Sequence, residues 1–316
     1  MSQFSASYPK NLLKQPLPWF YSLWKFSRPH TIIGTTLSVL ALYTIALATT
    51  HSSINPTNLG QLLGTWLACL CGNVYIVGLN QLQDLEIDKI NKPHLPLAAG
   101  EFSLRQGRWI VGITCVTAIL LAAGLGIWLL ATVGISLAIG TAYSLPPIRL
   151  KRFPFWAAFC IFTVRGVIVN LGLFLHFRQQ LDNQVLLPAT VWVLTFFIVV
   201  FTVAIAIFKD VPDLEGDQQY NITTFTIILG KKSVFNIACA IITVCYLGII
   251  LAGFVWLKEA NSTFITITHF VLLSLLWWRS RNVDLQQKQA IASFYQFIWK
   301  LFFLEYLIFP VACLLN

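Results

Sequence analysis

The chain has 316 residues, of which 57% are hydrophobic and only 10% are charged, and its mean hydropathy is +0.74. An ordinary soluble domain has about 25% charged residues, so this composition excludes a soluble enzyme and a disordered chain and indicates an integral membrane protein. The net charge of +9 does not indicate nucleic-acid binding, because the basic residues stand in short segments between long apolar runs. A transmembrane barrel is disfavoured, since its strands would alternate apolar and polar residues.

Nine stretches are apolar enough, and close enough to the length of about 20 residues, to span a bilayer as a helix. They lie at 30–49, 59–80, 108–124, 127–145, 154–176, 186–208, 234–256, 263–278 and 294–314. Because lipid offers the backbone no hydrogen-bond partners, each stretch is predicted to be helical. Gly124-Leu125-Gly126 separates the third from the fourth and predicts a tight turn. The seven cysteines lie within these stretches without a CxxC pair, and we interpret them as small buried side chains.

The Lys and Arg residues between the stretches are distributed unequally. Seventeen stand in segments on one side of the predicted membrane, which include the N-terminal segment, whereas only Arg178 and Lys258 stand on the other side. Since basic loops stay in the cytoplasm, this asymmetry supports nine spans and a cytoplasmic N-terminus. The predicted fold is therefore an all-α integral membrane protein with nine transmembrane helices.

Two loops on the basic side, 81–107 and 209–233, are much longer than the others. Both begin with acidic residues, and both later contain a similar stretch, LAAG at 97–100 and IILG at 227–230. The similarity predicts one membrane domain over 1–316 with a weak internal repeat, whose halves of about 1–150 and 151–316 meet near residue 150. Chance similarity is the alternative.

Seven of the twelve acidic residues occur in two nine-residue windows, NQLQDLEID at 80–88 and KDVPDLEGD at 209–217. In the first window, Asn80, Asp84 and Asp88 are four residues apart, so a helix would place all three on one face. In the second window, the spacing of three and four residues also predicts a shared face, formed by Asp210, Asp213 and Asp217.

Carboxylates this close destabilise a helix unless a cation binds them. Mg²⁺ suits such oxygen ligands, since it typically takes one or two carboxylates together with waters and substrate phosphates. The two windows therefore predict a diphosphate held between two magnesium sites, below a cavity enclosed by apolar helices. The alternative is that these carboxylates are solvated helix ends that face water.

The pattern NxxxDxxxD on the second span, followed by DxxDxxxD after the sixth, resembles the UbiA superfamily of intramembrane aromatic prenyltransferases over essentially the whole chain. The longer strings NQLQDLEIDKINKPHLPLAAGE, KDVPDLEGD and ITTFTIILG resemble its homogentisate phytyltransferase branch, which has Asn-Gln, here Asn80-Gln81, where many members have Asn-Asp. The resemblance implies nine helices around a central cavity. It also implies Mg²⁺-dependent transfer of a phytyl or related prenyl group from its diphosphate to homogentisate, which loses CO₂ and gives 2-methyl-6-phytylbenzoquinol for tocopherol synthesis.

The motifs assign roles to individual positions. The metal ligands would be Asn80, Asp84, Asp88, Asp210, Asp213 and Asp217. The residues taken as catalytic are Asp84, Asp88, Asp213, Asp217 and Tyr143. Tyr143 opens YSLPPIRLKR, which resembles the Tyr-then-basic stretch of the family, and it would hold the diphosphate or help to activate the acceptor together with Arg149 and Lys151.

Other basic residues near the acidic windows are candidates for substrate binding. Arg28 and His30 in SRPHT resemble a family position near the site, and Lys92 and His94 could approach the diphosphate or a substrate carboxylate. For Arg28, as for Arg149 and Lys151, an ordinary basic anchor at the membrane interface is the alternative.

Arg165 stands inside the fifth span, where a charge costs at least about 2.5–3.5 kcal/mol. We predict that it faces a polar substrate cavity together with Asn170, a structural ion pair being the alternative. Lys300 and Glu305 in the last span are predicted to form a structural pair or to snorkel to the interface. His51 and His269 have no partners at ligand spacing and are assigned no chemistry.

Two kinds of alternative function stay open. Sister prenyltransferases that use solanesyl or geranylgeranyl diphosphate, or that act on chlorophyllide, 4-hydroxybenzoate or dihydroxynaphthoate, share the acidic motifs. A secondary transporter also uses internal repeats and membrane carboxylates, although it places them at the midplane.

The predicted partners are a prenyl diphosphate, homogentisate and the lipid bilayer, with neither a nucleic acid nor a protein partner. The segment before the first span shows no evident plastid transit peptide. This predicts a bacterial protein of cyanobacterial type in the plasma or thylakoid membrane, with its active site toward the cytoplasm.

Overall fold

A computed structural model describes residues 9–209, 211 and 224–316. Within these ranges the regular secondary structure is helical, without a strand, which confirms the predicted all-α class. The α-helices are α1 Pro16–Phe26, α2 Pro29–Thr50, α3 Pro56–Gln83, α4 Leu85–Asn91, α5 Leu104–Leu125, α6 Ile127–Ser144, α7 Pro154–Phe162, α8 Val169–Asp182, α9 Ala189–Phe208, α10 Phe225–Leu229, α11 Lys231–Val255, α12 Ser262–Ser280 and α13 Lys288–Leu314. A 3₁₀ turn at Leu150–Arg152 precedes α7, and the π-helical segment Thr163–Ile168 joins α7 to α8.

In the described part of the chain, eight helices are long and apolar enough to cross a membrane. They are α2, α3, α5, α6, α9, α11, α13 and the continuous helix Phe155–Asp182 that includes the π-helical segment. They coincide with eight of the nine predicted stretches and confirm a multi-pass membrane protein. The ninth stretch, 263–278, is helical as α12, but its Thr, Ser and His side chains make it more polar. The count of nine spans and the cytoplasmic N-terminus therefore stay predictions.

The chain forms two compact units, the first from residues 1–39 and 60–151 and the second from 40–59 and 152–316. The change from one to the other after Lys151 lies beside the predicted meeting point of the repeat halves near residue 150. The repeat itself and the single-domain organisation stay predictions.

The first unit has a buried core between α1, α3, α5 and the loop that leads into α5. This core consists of Phe26, Leu79, Leu97, Phe102 and Val111. At Gly78, a Cβ atom would lie 2.7 Å from both Phe26 and Val111, so only glycine lets α3 approach these side chains this closely. The close approach fixes the end of α1 against the last turns of α3, which lead into the first acidic window.

The second unit has a core rich in aromatic rings, among them Phe197, Phe201, Tyr246 and Phe302, which are all nearly inaccessible to solvent. Phe201 contacts Phe302 with ring centroids 5.7 Å apart, so α9 packs on α13. Such ring pairs add to the energy of burial where lipid provides no hydrophobic driving force.

Three short helices, α1, α4 and α10, were not anticipated by the search for spans. α1 is amphipathic, with Ser22 and Phe26 buried and with Leu17, Phe20 and Trp24 exposed. A helix of this kind is typical of a segment that lies along the membrane surface. The predicted break between the third and fourth spans is confirmed, since α5 ends at Leu125 and Gly126 adopts φ 148°.

Candidate active site

The first acidic window lies where α3 meets α4. The predicted single helix through Asn80, Asp84 and Asp88 is wrong, because α3 ends before Asp84, whose φ of −109° and ψ of 17° are outside the helical range. This backbone lies in the sparsely populated bridge region, where many active-site residues are found. The amides of Asp84 and Asp88 still donate to the carbonyls four residues earlier, at 3.0 and 2.7 Å. The break therefore changes the direction of the Asp84 carboxylate but keeps it in contact with Asn80. Asn80 Nδ2 donates to Asp84 Oδ2 at 3.1 Å.

The carboxylate of Asp84 is held by two basic residues from the segment after α6. Arg149 Nη2 donates to Oδ1 at 2.9 Å, and Lys151 Nζ donates to Oδ2 at 2.5 Å. The three side chains are mostly shielded from solvent, so these charge-assisted bonds are stronger than exposed ion pairs. Burial lowers the pKa of the Lys151 ammonium, and the attraction of Asp84 offsets this only in part. The geometry thus places Arg149 and Lys151 against the acidic window, and their role in holding the diphosphate stays a prediction.

Asp88 is almost completely buried, with 5% of its surface exposed. Its Oδ2 atom has no hydrogen-bond partner among the described residues. Burial raises the pKa of this carboxyl, and the positive charges of Arg28, Lys92 and Lys151 counteract that effect incompletely. A buried carboxylate oxygen without a partner is costly, which indicates that this position receives a cation or another ligand.

Arg28 and Arg149 both adopt left-handed backbone conformations, with φ of 54° and 39°. A non-glycine residue in this region is strained and must be held by its surroundings. Arg28 Nη2 donates to Asn80 Oδ1 at 3.1 Å, and Gln81 Nε2 donates to the carbonyl of Phe26 at 2.7 Å. Such outliers concentrate at functional sites, so both arginines are aimed at the acidic window by a constrained backbone.

Gln81 was not predicted to have a structural role, nor was Asn73. Asn73 Nδ2 donates to Thr31 Oγ1 at 2.9 Å and thereby ties α3 to the start of α2. Together with the bond from Gln81, this contact fixes the turn that carries Arg28. In the sequence, the signal for such a structural contact is a polar amide side chain within an apolar span.

The remaining predicted residues of the first unit are less closely engaged. Lys92 ends α4 and contributes positive charge near Asp88 without an ion pair among the described residues. Tyr143 lies in the last turn of α6, and no hydrogen bond joins its hydroxyl to the acidic window in the part of the chain described. The residues brought together, which we call the Asp84 cluster, are Arg28, Asn80, Asp84, Asp88, Lys92, Arg149 and Lys151.

Arg165 and Asn170 lie in the second unit. Asn170 is completely buried, and its amide donates to the carbonyl of Gly166 at 2.6 Å while its oxygen accepts from the Tyr306 hydroxyl at 3.1 Å. Both polar groups of the Asn170 side chain therefore already have hydrogen-bond partners within the protein, which argues against substrate binding by this residue. Arg165 is partly exposed, and its Cζ lies 5.2 Å from the ring centroid of Trp299.

The predicted pair of Lys300 and Glu305 is wrong. Glu305 is completely buried, and its Oε2 lies 3.0 Å from Nε2 of His269, which is also completely buried. The histidine that was assigned no partner thus has one 36 residues along the chain, a separation that spacing within a single helix cannot reveal.

The second acidic window, with Asp210, Asp213 and Asp217, lies outside the described residues. Within the described ranges no group of three or more His, Cys, Asp or Glu side chains could hold a metal ion. Asp84 and Asp88 nevertheless supply two carboxylates, Asn80 supplies an amide, and Asp88 Oδ2 is without a partner. This donor set fits Mg²⁺, which needs only one or two carboxylates when substrate phosphates complete its coordination.

Comparisons with known proteins indicate the family of the chain. Residues 36–301 match the UbiA prenyltransferase family. The chain is 60% identical to the homogentisate phytyltransferase of a Synechocystis species over 292 residues, which are 92% of this chain and 95% of that protein. It is 40% identical to the chloroplastic homogentisate phytyltransferase 1 of Arabidopsis thaliana, covering 97% of this chain and 78% of that protein. A UbiA homologue from Archaeoglobus fulgidus, solved with GPP and Mg²⁺, superimposes with a TM-score of 0.61 at 16% identity, over 93% of this chain and all of that one.

Proposed function

The chain belongs to the UbiA prenyltransferase family, and we propose that it transfers a phytyl group from phytyl diphosphate to homogentisate. The acceptor loses its carboxyl group as CO₂, a proton takes the place of that group on the side-chain carbon, and the product is 2-methyl-6-phytylbenzoquinol of the tocopherol pathway. The extensive identity to the Synechocystis and Arabidopsis phytyltransferases supports this choice of donor and acceptor. Membership in a family of prenyltransferases argues against the alternative of a secondary transporter.

The observation that carries the proposal is the Asp84 cluster. Two carboxylates, Asp84 and Asp88, lie among basic side chains, so the cluster can bind a divalent cation and a diphosphate side by side. Solvated helix ends, the alternative interpretation of the acidic window, would expose Asp88, whereas it is buried.

Asn80, Asp84 and Asp88 would hold Mg²⁺, together with the predicted ligands Asp210, Asp213 and Asp217. When bound, Mg²⁺ would neutralise negative charge on the diphosphate and make it a better leaving group. Chelation by EDTA should therefore abolish turnover, and added Mg²⁺ should restore it.

The basic residues of the cluster would act on the leaving group. Arg28, Arg149 and Lys151 would donate hydrogen bonds to the diphosphate oxygens, where negative charge grows as the allylic C–O bond breaks. Because Arg28 and Arg149 are already fixed in strained backbone, little reorganisation accompanies this step. The electron pair of the broken bond leaves with the diphosphate.

The allylic carbon that results would be attacked by the electron-rich ring of the acceptor, which then loses a ring proton. Water would convert the same carbon into an alcohol, so the apolar helices must exclude it. Tyr143 stands at the end of α6, six residues before Arg149, and we propose that it helps to orient the acceptor hydroxyl.

A panel of substrates tests the proposed function. Purified protein in detergent or liposomes should be assayed with homogentisate and each of phytyl, geranylgeranyl and solanesyl diphosphate. We expect the highest kcat/KM with phytyl diphosphate. Faster transfer of a solanesyl group, or transfer to 4-hydroxybenzoate in preference to homogentisate, would assign the chain to a sister activity.

We also propose that the protein resides in a bacterial membrane of cyanobacterial type, plasma or thylakoid, with the Asp84 cluster toward the cytoplasm. The excess of basic residues in the segments that adjoin the cluster supports this orientation.

A further inference from the structure

Arg165 is a cation within a membrane-spanning helix, and it has no anionic partner among the described residues. Neither an ion pair nor a hydrogen bond joins its guanidinium to any residue that the structure describes. In the described part of the second unit every acidic side chain is engaged elsewhere. Asp182 pairs with Arg178, Glu259 accepts from Thr190, Asp284 accepts from Gln286 and Gln287, and Glu305 pairs with His269.

The backbone around Arg165 has an unusual helical geometry that does not involve the Arg165 side chain. The segment Thr163–Ile168 is π-helical, a rare geometry that often marks functional sites. The side-chain amide of Asn170 donates to the carbonyls of Arg165 and Gly166, at 3.2 and 2.6 Å. The position of Arg165 is therefore set by backbone and amide contacts, and its guanidinium remains available.

The surroundings of the guanidinium are aromatic. Its Cζ lies 5.2 Å from the ring centroid of Trp299 and 5.8 Å from that of Phe302, both in α13. Cation–π contacts stabilise the guanidinium only in part, because the rings carry no opposite charge to neutralise it. An anion that binds here would supply the missing compensation.

We propose that Arg165 binds the carboxylate of the aromatic acceptor, an arylacetate, beside the rings of Trp299 and Phe302. The inference rests on the proposed function, which supplies homogentisate as the acceptor. A guanidinium donates two parallel hydrogen bonds to a carboxylate, and the partly exposed ring of Trp299 offers a surface for the acceptor ring, whereas the Phe302 ring is buried. A diphosphate carries several negative charges and matches the several cations of the Asp84 cluster better than one guanidinium.

The test compares two acceptors in equilibrium binding and in turnover. Homogentisate carries the carboxylate, and methylhydroquinone has the same hydroquinone ring without it. In Arg165→Gln we expect the Kd and KM for homogentisate to rise about 30-fold or more, as for loss of one partner of a buried charge pair. The Kd for methylhydroquinone and the KM for phytyl diphosphate should change less than about twofold. Arg165→Lys keeps the positive charge but loses the forked pair of donors. Its Kd and KM for homogentisate should therefore lie between those of the wild type and those of Arg165→Gln.

Lys300→Gln is the matched control, since it removes one positive charge from α13 at an exposed position beside Trp299. It should leave all these constants unchanged. The melting temperature separates a structural role from a binding role. Removal of an uncompensated charge from a span should leave the melting temperature of ligand-free Arg165→Gln equal or higher, whereas a structural cation would lower it.

Two failures can be told apart. If wild-type protein prenylates homogentisate while Arg165→Gln weakens both acceptors equally, weakens phytyl diphosphate instead, or melts at a lower temperature, the inference is overturned and the proposed function stands. If wild-type protein neither binds nor prenylates homogentisate, the proposed function fails first.

Discussion

Lys151 Nζ lies 2.5 Å from Asp84 Oδ2, although 67 residues separate the two in the chain. The contact joins the end of the second predicted span to the loop after the fourth. A carboxylate that accepts from Lys151, Arg149 and Asn80 still has lone pairs for a metal ion, since an ionised carboxylate offers about four acceptor positions. The ion pair therefore joins these two segments, and under the proposed mechanism its lysine would also face the bound diphosphate.

We expect Lys151 to stabilise the departing diphosphate with its positive charge. Lys151→Met should lower kcat/KM for phytyl diphosphate about 100-fold or more, because one charge-stabilising donor to the leaving group is lost. Arg152→Met is the matched control in the same 3₁₀ turn, since Arg152 is exposed and forms no ion pair with a described residue. Steady-state kinetics of the two purified variants check this. Equal losses in both would show that only the general positive charge of this loop matters.

We expect the Asp88 carboxylate to lower the thermal stability of the ligand-free enzyme while it is required for turnover. Its buried carboxylate oxygen lacks a partner in the described protein, so Asp88→Asn should raise the melting temperature of the ligand-free enzyme. The same variant should lose nearly all activity if the carboxylate binds the metal. Thermal unfolding and turnover, measured on one preparation, decide the matter. A variant that is both less stable and active would contradict this interpretation of Asp88.

Glu101 predicts a pH-dependent attachment of the N-terminal segment. It accepts hydrogen bonds from Ser22 at 2.5 Å, from Lys10 at 3.1 Å and from Lys25. Burial alone would raise the pKa of this carboxyl, but these bonds outweigh burial and hold the pKa below its usual value. A lowered pKa contributes stability that is present above the unfolded pKa and is lost as pH falls through the folded pKa.

Glu101→Gln should therefore destabilise the protein by about 2 kcal/mol at neutral pH and by progressively less in acid. Glu86→Gln is the control, because Glu86 forms an exposed ion pair with Lys89 and should change stability little. Melting curves from pH 7 down to pH 3 measure both. A constant difference between wild type and Glu101→Gln over this range would refute the linkage.

Topology is predicted by the basic loops and can be read at the C-terminus. If α12 crosses the membrane, the chain has nine spans, and a cytoplasmic N-terminus requires the C-terminus on the opposite side. A C-terminal alkaline phosphatase fusion of the full chain should then be active and a C-terminal green fluorescent protein fusion dark. The reverse pattern, with an N-terminal fluorescent fusion bright, would leave α12 within the protein and the span count at eight.

Much of the fold could be predicted because lipid imposes a length and an apolar composition on every spanning helix. The basic loops and the resemblance placed Asp84, Arg149 and Lys151 on one face of the membrane, but their direct contact was not predicted. Contacts between side chains distant in sequence were not predictable. The bond between His269 and Glu305 depends on how α12 packs against α13, which the periodicity of either helix does not determine.

Local departures of the backbone from regular helix geometry were equally unpredictable from the sequence. Periodicity assumes a regular helix, so it could reveal neither the break at Asp84 nor the π-helical segment around Arg165. The left-handed conformations of Arg28 and Arg149 are imposed by tertiary contacts, such as that of Gln81 with Phe26, and carry no signal in the residue type. These departures lie at or beside predicted functional residues, as expected where function overrides local preference.

We propose above that the carboxylates of the Asp84 cluster act in prenyl transfer. Asp84→Asn keeps the size of the side chain and removes its charge, while Asp284→Asn makes the same change in an exposed loop. The direct measurement is the rate of phytyl transfer to homogentisate by both purified variants with saturating Mg²⁺. We predict a loss of about 1,000-fold or more in Asp84→Asn and no loss in Asp284→Asn, with both variants folded. A folded Asp84→Asn that retains most of the wild-type rate would contradict the account.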